Sequence, residues 1–221
     1  MMIKAVFFDM GGTLETFRFT REYRIQHAPL LRECLTRADI VLQDSDEQLA
    51  DRVTRGISAY HKWNLESMIE ISTAEIWGKY VFEDLAIDPS RLAGVSEELS
   101  LIYETKFYVR EMRSEVPGVL AKIKALGLKI GAISNTQSLT QVPETLKKYE
   151  IEDYFDTVVL SSAYGRRKPD PAIFYHATQL AQVPTGACVY VGDKINRDVL
   201  GAKRAGFQLA VQITHEYDDG D

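Results

Sequence analysis

The sequence predicts an α/β protein: a parallel sheet with helices on both faces, interrupted after its first strand by a helical insertion. Three observations carry this. A short apolar run, Ile3 to Phe8, stops at Asp9 and the adjacent glycines Gly11 and Gly12, as a buried strand entering a tight turn does. Helical periodicity then holds from about Phe17 to Arg113. From Val116 onward, strand-like and helix-like stretches alternate with short connections, the pattern of parallel strands joined by crossover helices.

Asp9 has no packing use at the tip of a buried strand. In open parallel sheets, such tips are where ligands gather. Gly11 and Gly12 let the backbone turn sharply and approach a bound group. In the helical span, Leu31, Cys34, Leu35, Ala38 and Leu42 form one stripe, and Leu49, Val53, Ile57 and Tyr60 a second. Ile76, Trp77, Tyr80 and Val81 make a third, and Leu92, Val95, Leu99 and Ile102 a fourth. Ser45 with Gln48 and Ser72 with Glu75 have capping-box spacing, and Asp88-Pro89 places an N-cap before a first-turn proline. The span therefore reads as a helical bundle with no strand of its own.

The second half predicts a helix over 117–126 stopped by Gly127, and a strand over 128–133 ending in Ser134-Asn135. A helix from Pro143 and a strand over 157–161 follow. A loop, 164–171, precedes a helix through Ala181. A strand over 187–191 ends in Gly192-Asp193, and a helix through Ala205 is stopped by Gly206. A last strand, 207–213, closes the sheet, and the acidic tail from His215 to Asp221 is expected to fray.

The 221 residues suffice for one well-packed domain, or one domain with a sizeable insertion. With 45% hydrophobic and 26% charged residues, the composition is that of a soluble globular protein. A net charge of −6 argues against a non-specific nucleic-acid binder, which needs a basic face. Cys34 and Cys188 lie far apart without metal-ligand spacing and read as buried thiols of a reducing compartment. The N-terminal apolar run is too short for a signal peptide or membrane span. The expectation is a cytoplasmic protein without membrane or nucleic-acid partners; nothing in the pattern sets an oligomeric state.

Three strand ends carry polar residues: Asp9, Ser134-Asn135 and Gly192-Asp193. Lys168 lies in a loop stiffened by Pro169 and Pro171. Carboxylates, a hydroxyl and an ammonium on one sheet edge suit a phosphoryl group with a hard cation. Mg²⁺ takes oxygen ligands, commonly one or two carboxylates plus substrate phosphate. The ammonium and the hydroxyl can neutralise and hydrogen-bond the remaining phosphate oxygens.

This ordered set resembles the haloacid dehalogenase superfamily. The matching pieces are DMGGTL at 9–14, ISN at 133–135, RKPDP at 167–171 and GDKINRDVLGA at 192–202. The resemblance implies a Rossmann-like core over residues 1–16 and 114–221, with 17–113 as an inserted helical cap domain. It implies that Asp9 is a nucleophile forming an aspartyl-phosphate, that Ser134, Asn135 and Lys168 hold the phosphoryl group, and that Lys168 pairs with Asp9. It implies Mg²⁺ on Asp9, the Gly11 carbonyl and Asp193, with Asp198 acting through a bound water or by orienting its neighbours. The substrate would be a small phosphorylated metabolite.

One position departs. Phosphatases of the superfamily usually carry an aspartate two residues after the nucleophile, where this chain has Gly11. Glycine can neither protonate a leaving group nor activate water, functions worth about 10²–10⁴ in rate. Alternatives follow: a phosphate-binding or regulatory protein without turnover, a dehalogenase, or a phosphonate-cleaving enzyme. Asp193 speaks for phosphorus chemistry over dehalogenation. Lys62 and Lys79 are Schiff-base candidates by location only, since a helix lysine is ordinarily a solvated charge. His61, Trp63 and His176 read as structural, as do most aromatics of the helical span. Phe17 and Phe19 are the better candidates to line an entrance.

Overall fold

The computed structural model describes residues 2–214, so the tail expected to fray lies outside the described residues. Two compact units emerge. One comprises the chain up to Phe17, Arg110–Thr136 and the described chain from Val142 onward; the other comprises Arg18–Val109 and Gln137–Gln141.

Strand β1 (Ala5–Phe8) leads through a tight turn into β2 (Glu15–Arg18). Helices α1 (Arg21–Arg37), α2 (Asp46–Ser67), α3 (Thr73–Ile76) and α4 (Pro89–Lys106) follow, and β3 (Val109–Met112) pairs with β2 in a two-stranded sheet. The expectation of a span without strands is thus corrected at both ends. Each of these strands has four residues and meets a partner distant in sequence, so neither is long enough to show a period of two.

The remaining elements are α5 (Val116–Ala125), β4 (Lys129–Ser134), α6 (Gln141–Lys148), β5 (Thr157–Leu160) and α7 (Ser161–Tyr164). Then come α8 (Pro171–Leu180), β6 (Cys188–Gly192), α9 (Leu200–Arg204) and β7 (Leu209–Gln212). The short α7 was not expected. Nor was the five-residue π turn Ile195–Val199 that precedes α9.

The main sheet is parallel, with order β5-β4-β1-β6-β7. From β1 the chain builds outward through β4 to β5, then returns to the other side of β1 with β6 and β7. That reversal puts a topological switch at the carboxyl end of β1, where Asp9 follows. Both sheet faces are covered. Ala5 and Phe7 pack with Phe174, Tyr190 and Phe207 on one side, and Val6 and Phe8 pack with Leu120, Ile130 and Leu146 on the other. That is why β1 is apolar throughout and does not alternate.

In the helical unit both expected capping boxes form, at Ser45/Gln48 and Ser72/Glu75, and Asp88 caps α4 ahead of Pro89. The first stripe overruns its helix: Asp39, in the left-handed region at φ 55°, breaks it, yet Leu42 still packs on the same core. Trp77 is fully buried and donates its indole N–H to Ser100 Oγ at 2.9 Å. Gly56 lets α2 approach the π turn Trp77–Val81, because a β-carbon there would overlap the Tyr80 carbonyl. Glu97 Oε1 accepts from Ser138 Oγ (2.6 Å), Leu139 N (2.8 Å) and both Thr140 donors, which ties residues 137–141 to α4. No helix among the described residues is long and apolar enough to cross a membrane.

A β-carbon on Gly131 would overlap the Phe7 ring. Gly131→Ala should therefore destabilise the fold by about 1–3 kcal/mol through overpacking, read as a lowered midpoint in urea. An unchanged midpoint would show that this strand pair is looser than its geometry implies.

Candidate active site

The turn after β1 is held by its own backbone. Gly12 N donates to the Glu15 carbonyl at 2.8 Å, and Leu14 N to the Met10 carbonyl at 2.8 Å. Gly12 sits at φ +80°, and any β-carbon on it would overlap the Asp193 carboxylate, so glycine is required twice over. At Gly192 the requirement is steric alone: a β-carbon there would overlap the Asp198 side chain. Asp9 remains anchored in the sheet, its N–H donating to the Val191 carbonyl at 2.9 Å.

Lys168 is the centre of the cluster. Its side chain is fully buried, and Nζ lies 2.8 Å from Asp9 Oδ1, 2.7 Å from Asp198 Oδ1 and 2.8 Å from the Tyr190 hydroxyl. An ammonium has three N–H donors, so each finds an acceptor. The Tyr190 hydroxyl also lies 3.2 Å from the Ile133 carbonyl and 3.3 Å from Asp198 Oδ1. Asn135 fixes the Lys168 backbone at two points: Nδ2 donates to the Lys168 carbonyl at 3.0 Å, and Oδ1 accepts from its N–H at 2.9 Å. The Asn135 side-chain amide is thereby committed to this loop.

Asp9, Asp193 and Asp198 are all buried, and an oxygen from each falls within 4.8 Å of the others. Three hard oxygen donors in a tight backbone cradle fit a divalent cation such as Mg²⁺. Arg197 lies among the same carboxylates. Its Nη2 is 2.9 Å from Asp9 Oδ2, 3.2 Å from Asp193 Oδ1 and 3.5 Å from Asp198 Oδ2. Three carboxylates against two cations leave the cluster with one negative charge in excess.

Burial works against ionisation of Asp198, but the charges of Lys168 and Arg197 outweigh it and hold the carboxyl down at about 2. Burial pushes the Tyr190 phenol well up, and the carboxylates of Asp198 and Asp9 push it further. For Arg197, burial works toward a lower value, and the three carboxylates more than reverse it.

Ser134 is buried at the end of β4, and Gly11 stands in the turn two residues after Asp9. The space beside Gly11 is not empty. A β-carbon there would lie 3.3 Å from the Phe17 ring and 3.8 Å from Arg110 Nη1. Arg110 in turn pairs with the fully buried Glu15 at 2.5 Å, and Tyr149 donates its hydroxyl to Glu15 at 2.8 Å. Phe17 thus packs beside the turn. Phe19 is exposed, with the Arg24 guanidinium 3.6 Å from its ring centre.

Sequence reasoning missed Arg197 and Tyr190. Arg197 stands four residues after Asp193 and next to Asp198, a spacing that places it on the acidic side of its turn. Tyr190 offered no comparable signal inside an apolar strand. His176 stacks on Tyr164, and Arg166 pairs with Asp170 at 3.2 Å; both have structural work.

Because its folded-state carboxyl sits below the ordinary value of 3.8, Asp198 adds stability above about pH 4 that is lost as pH falls toward 2. The loss should be on the order of 2 kcal/mol. Asp198→Asn should flatten that part of an acid titration of the thermal midpoint, whereas an equally steep acid limb would place the titration elsewhere.

The family profile of haloacid dehalogenase-like hydrolases matches residues 3–206. The chain is 27% identical to the glyceraldehyde 3-phosphate phosphatase of Methanopyrus kandleri, over 93% of this chain and 82% of that protein. It is 26% identical to the N-acylneuraminate-9-phosphatase of Rattus norvegicus, over 96% of this chain and 82% of that protein. A crystal structure of a HAD phosphatase from Thermococcus onnurineus matches with a TM-score of 0.59 at 26% identity, covering 99% of this chain and 89% of that one. With nearly the whole sheet and the helical segment inside the profile, the chain belongs to the haloacid dehalogenase-like hydrolase family.

Proposed function

We propose that this protein is a Mg²⁺-dependent phosphatase of a small phosphorylated metabolite, with Asp9 as nucleophile. One observation carries the reading: Asp9, at the tip of the central strand, shares a buried ammonium with Asp198 and lies within ligand distance of Asp193. The phosphatase names of the relatives support it.

In this reading one Asp9 carboxylate oxygen attacks phosphorus, and the bond from phosphorus to the leaving oxygen breaks, its electron pair going to that oxygen. Water then attacks the aspartyl-phosphate, which frees inorganic phosphate and restores the carboxylate. Lys168 offsets charge at Asp9, and the Ser134 hydroxyl and the Asn135 main chain hydrogen-bond the phosphoryl oxygens. Mg²⁺ bound by Asp9, the Gly11 carbonyl, Asp193 and Asp198 would supply positive charge against those oxygens. The helical segment, residues 17–113, serves as the substrate-selecting cap domain.

Gly11 sets the leaving-group preference. Its neighbours, Phe17 and Arg110, offer no carboxyl to protonate a departing alkoxide. Aryl and acyl phosphates, whose leaving groups need no proton, are favoured over alkyl esters. Gly11 also favours a second reading, phosphate binding without turnover.

An aryl phosphate should be hydrolysed faster than a simple alkyl phosphate by a factor on the order of 10², the lower end of what general acid catalysis contributes. Asp9→Asn should abolish release of the phenol while leaving the circular dichroism spectrum unchanged. Native protein that binds phosphate yet releases no phenol at any Mg²⁺ concentration would establish the second reading. Turnover that survives Asp9→Asn would remove Asp9 from the chemistry.

A further inference from the structure

Of the two cations paired with the acidic cluster, Lys168 and Arg197, Arg197 is the one that the proposed reaction does not use, and it stands in the middle of the carboxylates. A single nitrogen, Nη2, reaches oxygens of Asp9, Asp193 and Asp198. These are the residues whose oxygens gather closely enough to hold one divalent ion. From the geometry we infer that Arg197 is the protein's own counterion for this cluster, and that a divalent cation binds there only by displacing it. The inference rests on the metal reading above and adds a regulation of that site.

The manner of the contact shows why displacement is feasible. A guanidinium that serves as a permanent partner for a carboxylate ordinarily grips it with two nitrogens in a planar fork. Arg197 makes all three of its carboxylate contacts through one nitrogen, and its Nε is buried with no hydrogen-bond partner. Its side chain is also about a quarter exposed, whereas that of Lys168 is fully buried. One cation of the cluster is therefore locked and the other has a way out. Arg197 also rides on the π turn Ile195–Val199, next to Asp198, so its withdrawal need not move that carboxylate's backbone.

Two consequences follow for Asp9. Lys168 engages Oδ1 and Arg197 engages Oδ2, so both oxygens of the nucleophile are occupied while Arg197 is in place. Departure of Arg197 frees Oδ2. Metal entry and exposure of the nucleophile then become one event. An apparent dissociation constant is raised by the inverse of the fraction of molecules competent to bind. If Arg197 fills the cluster in 90–99% of molecules, its removal tightens metal binding by about 10–100-fold.

The test is a Mn²⁺ titration of the full chain followed by electron paramagnetic resonance, comparing native protein with Arg197→Gln and Arg197→Lys. The expected result is Mn²⁺ binding about 10–100-fold tighter in Arg197→Gln. Circular dichroism checks that each variant is folded. Crystals of the native protein grown with Mn²⁺ provide a measurement that needs no variant: Nη2 should have left hydrogen-bond distance of Asp9 and Asp193. An ion on the three carboxylates with Nη2 still beside them would overturn the inference, as would equal or weaker binding by Arg197→Gln, and either result leaves the phosphatase reading standing. Failure of every form to bind Mn²⁺ would remove the metal reading and this inference together.

Discussion

The ammonium of Lys168 is the group on which the rest of this sheet edge depends. Taking a lysine fully out of water costs several kcal/mol unless its charge and all its donors are answered. Here Asp9, Asp198 and the Tyr190 hydroxyl answer it at 2.7–2.8 Å. Those partners arrive from the end of β1, from the π turn before α9 and from within β6. Asn135, after β4, holds the lysine's own backbone. Separate segments of the α/β unit must therefore be in register before one charge is satisfied, and loss of any partner strands the others. The nucleophile proposed for the reaction is positioned by the same bond that makes burial of the lysine tolerable.

Much of this was legible from residue types. An acidic residue closing an apolar run is incompatible with simple burial, which is why Asp9 and Asp193 announced themselves. Ser45, Ser72 and Asp88 marked helix starts because their side chains satisfy backbone N–H groups locally, without help from distant residues. What stayed hidden depends on distant pairing. Strands β2 and β3 take shape only against each other, and with them came the approach of Phe17 and Arg110 to Gly11. Tyr190 looked like any core aromatic, because its hydroxyl matters only once Lys168 has been folded over it. Arg197 stood unremarked inside the motif at 192–202, because its three carboxylate partners meet only in the folded chain.

Two features set the character of the proposed site: Gly11, which offers no side chain two residues after Asp9, and Arg197 among the three clustered carboxylates. Both act in the same direction. In the proposed reaction the first would leave the departing group without a proton donor, and the second holds an oxygen of Asp9 in an ion pair. On the proposed reading, a site built in this way would keep the geometry of phosphoryl transfer while restraining its rate at rest. Its chemistry would then be set by what displaces the guanidinium and by how readily the departing group leaves unaided.

Both tryptophans of the chain, Trp63 and Trp77, belong to the helical unit, while the α/β unit relies on tyrosine and phenylalanine for its aromatic packing. Indole emission therefore reports on one half of the molecule and is blind to the other. Should the halves melt at different temperatures, fluorescence would follow the helices while the backbone signal followed both, and the gap between the two curves would measure how far their cooperativity is shared.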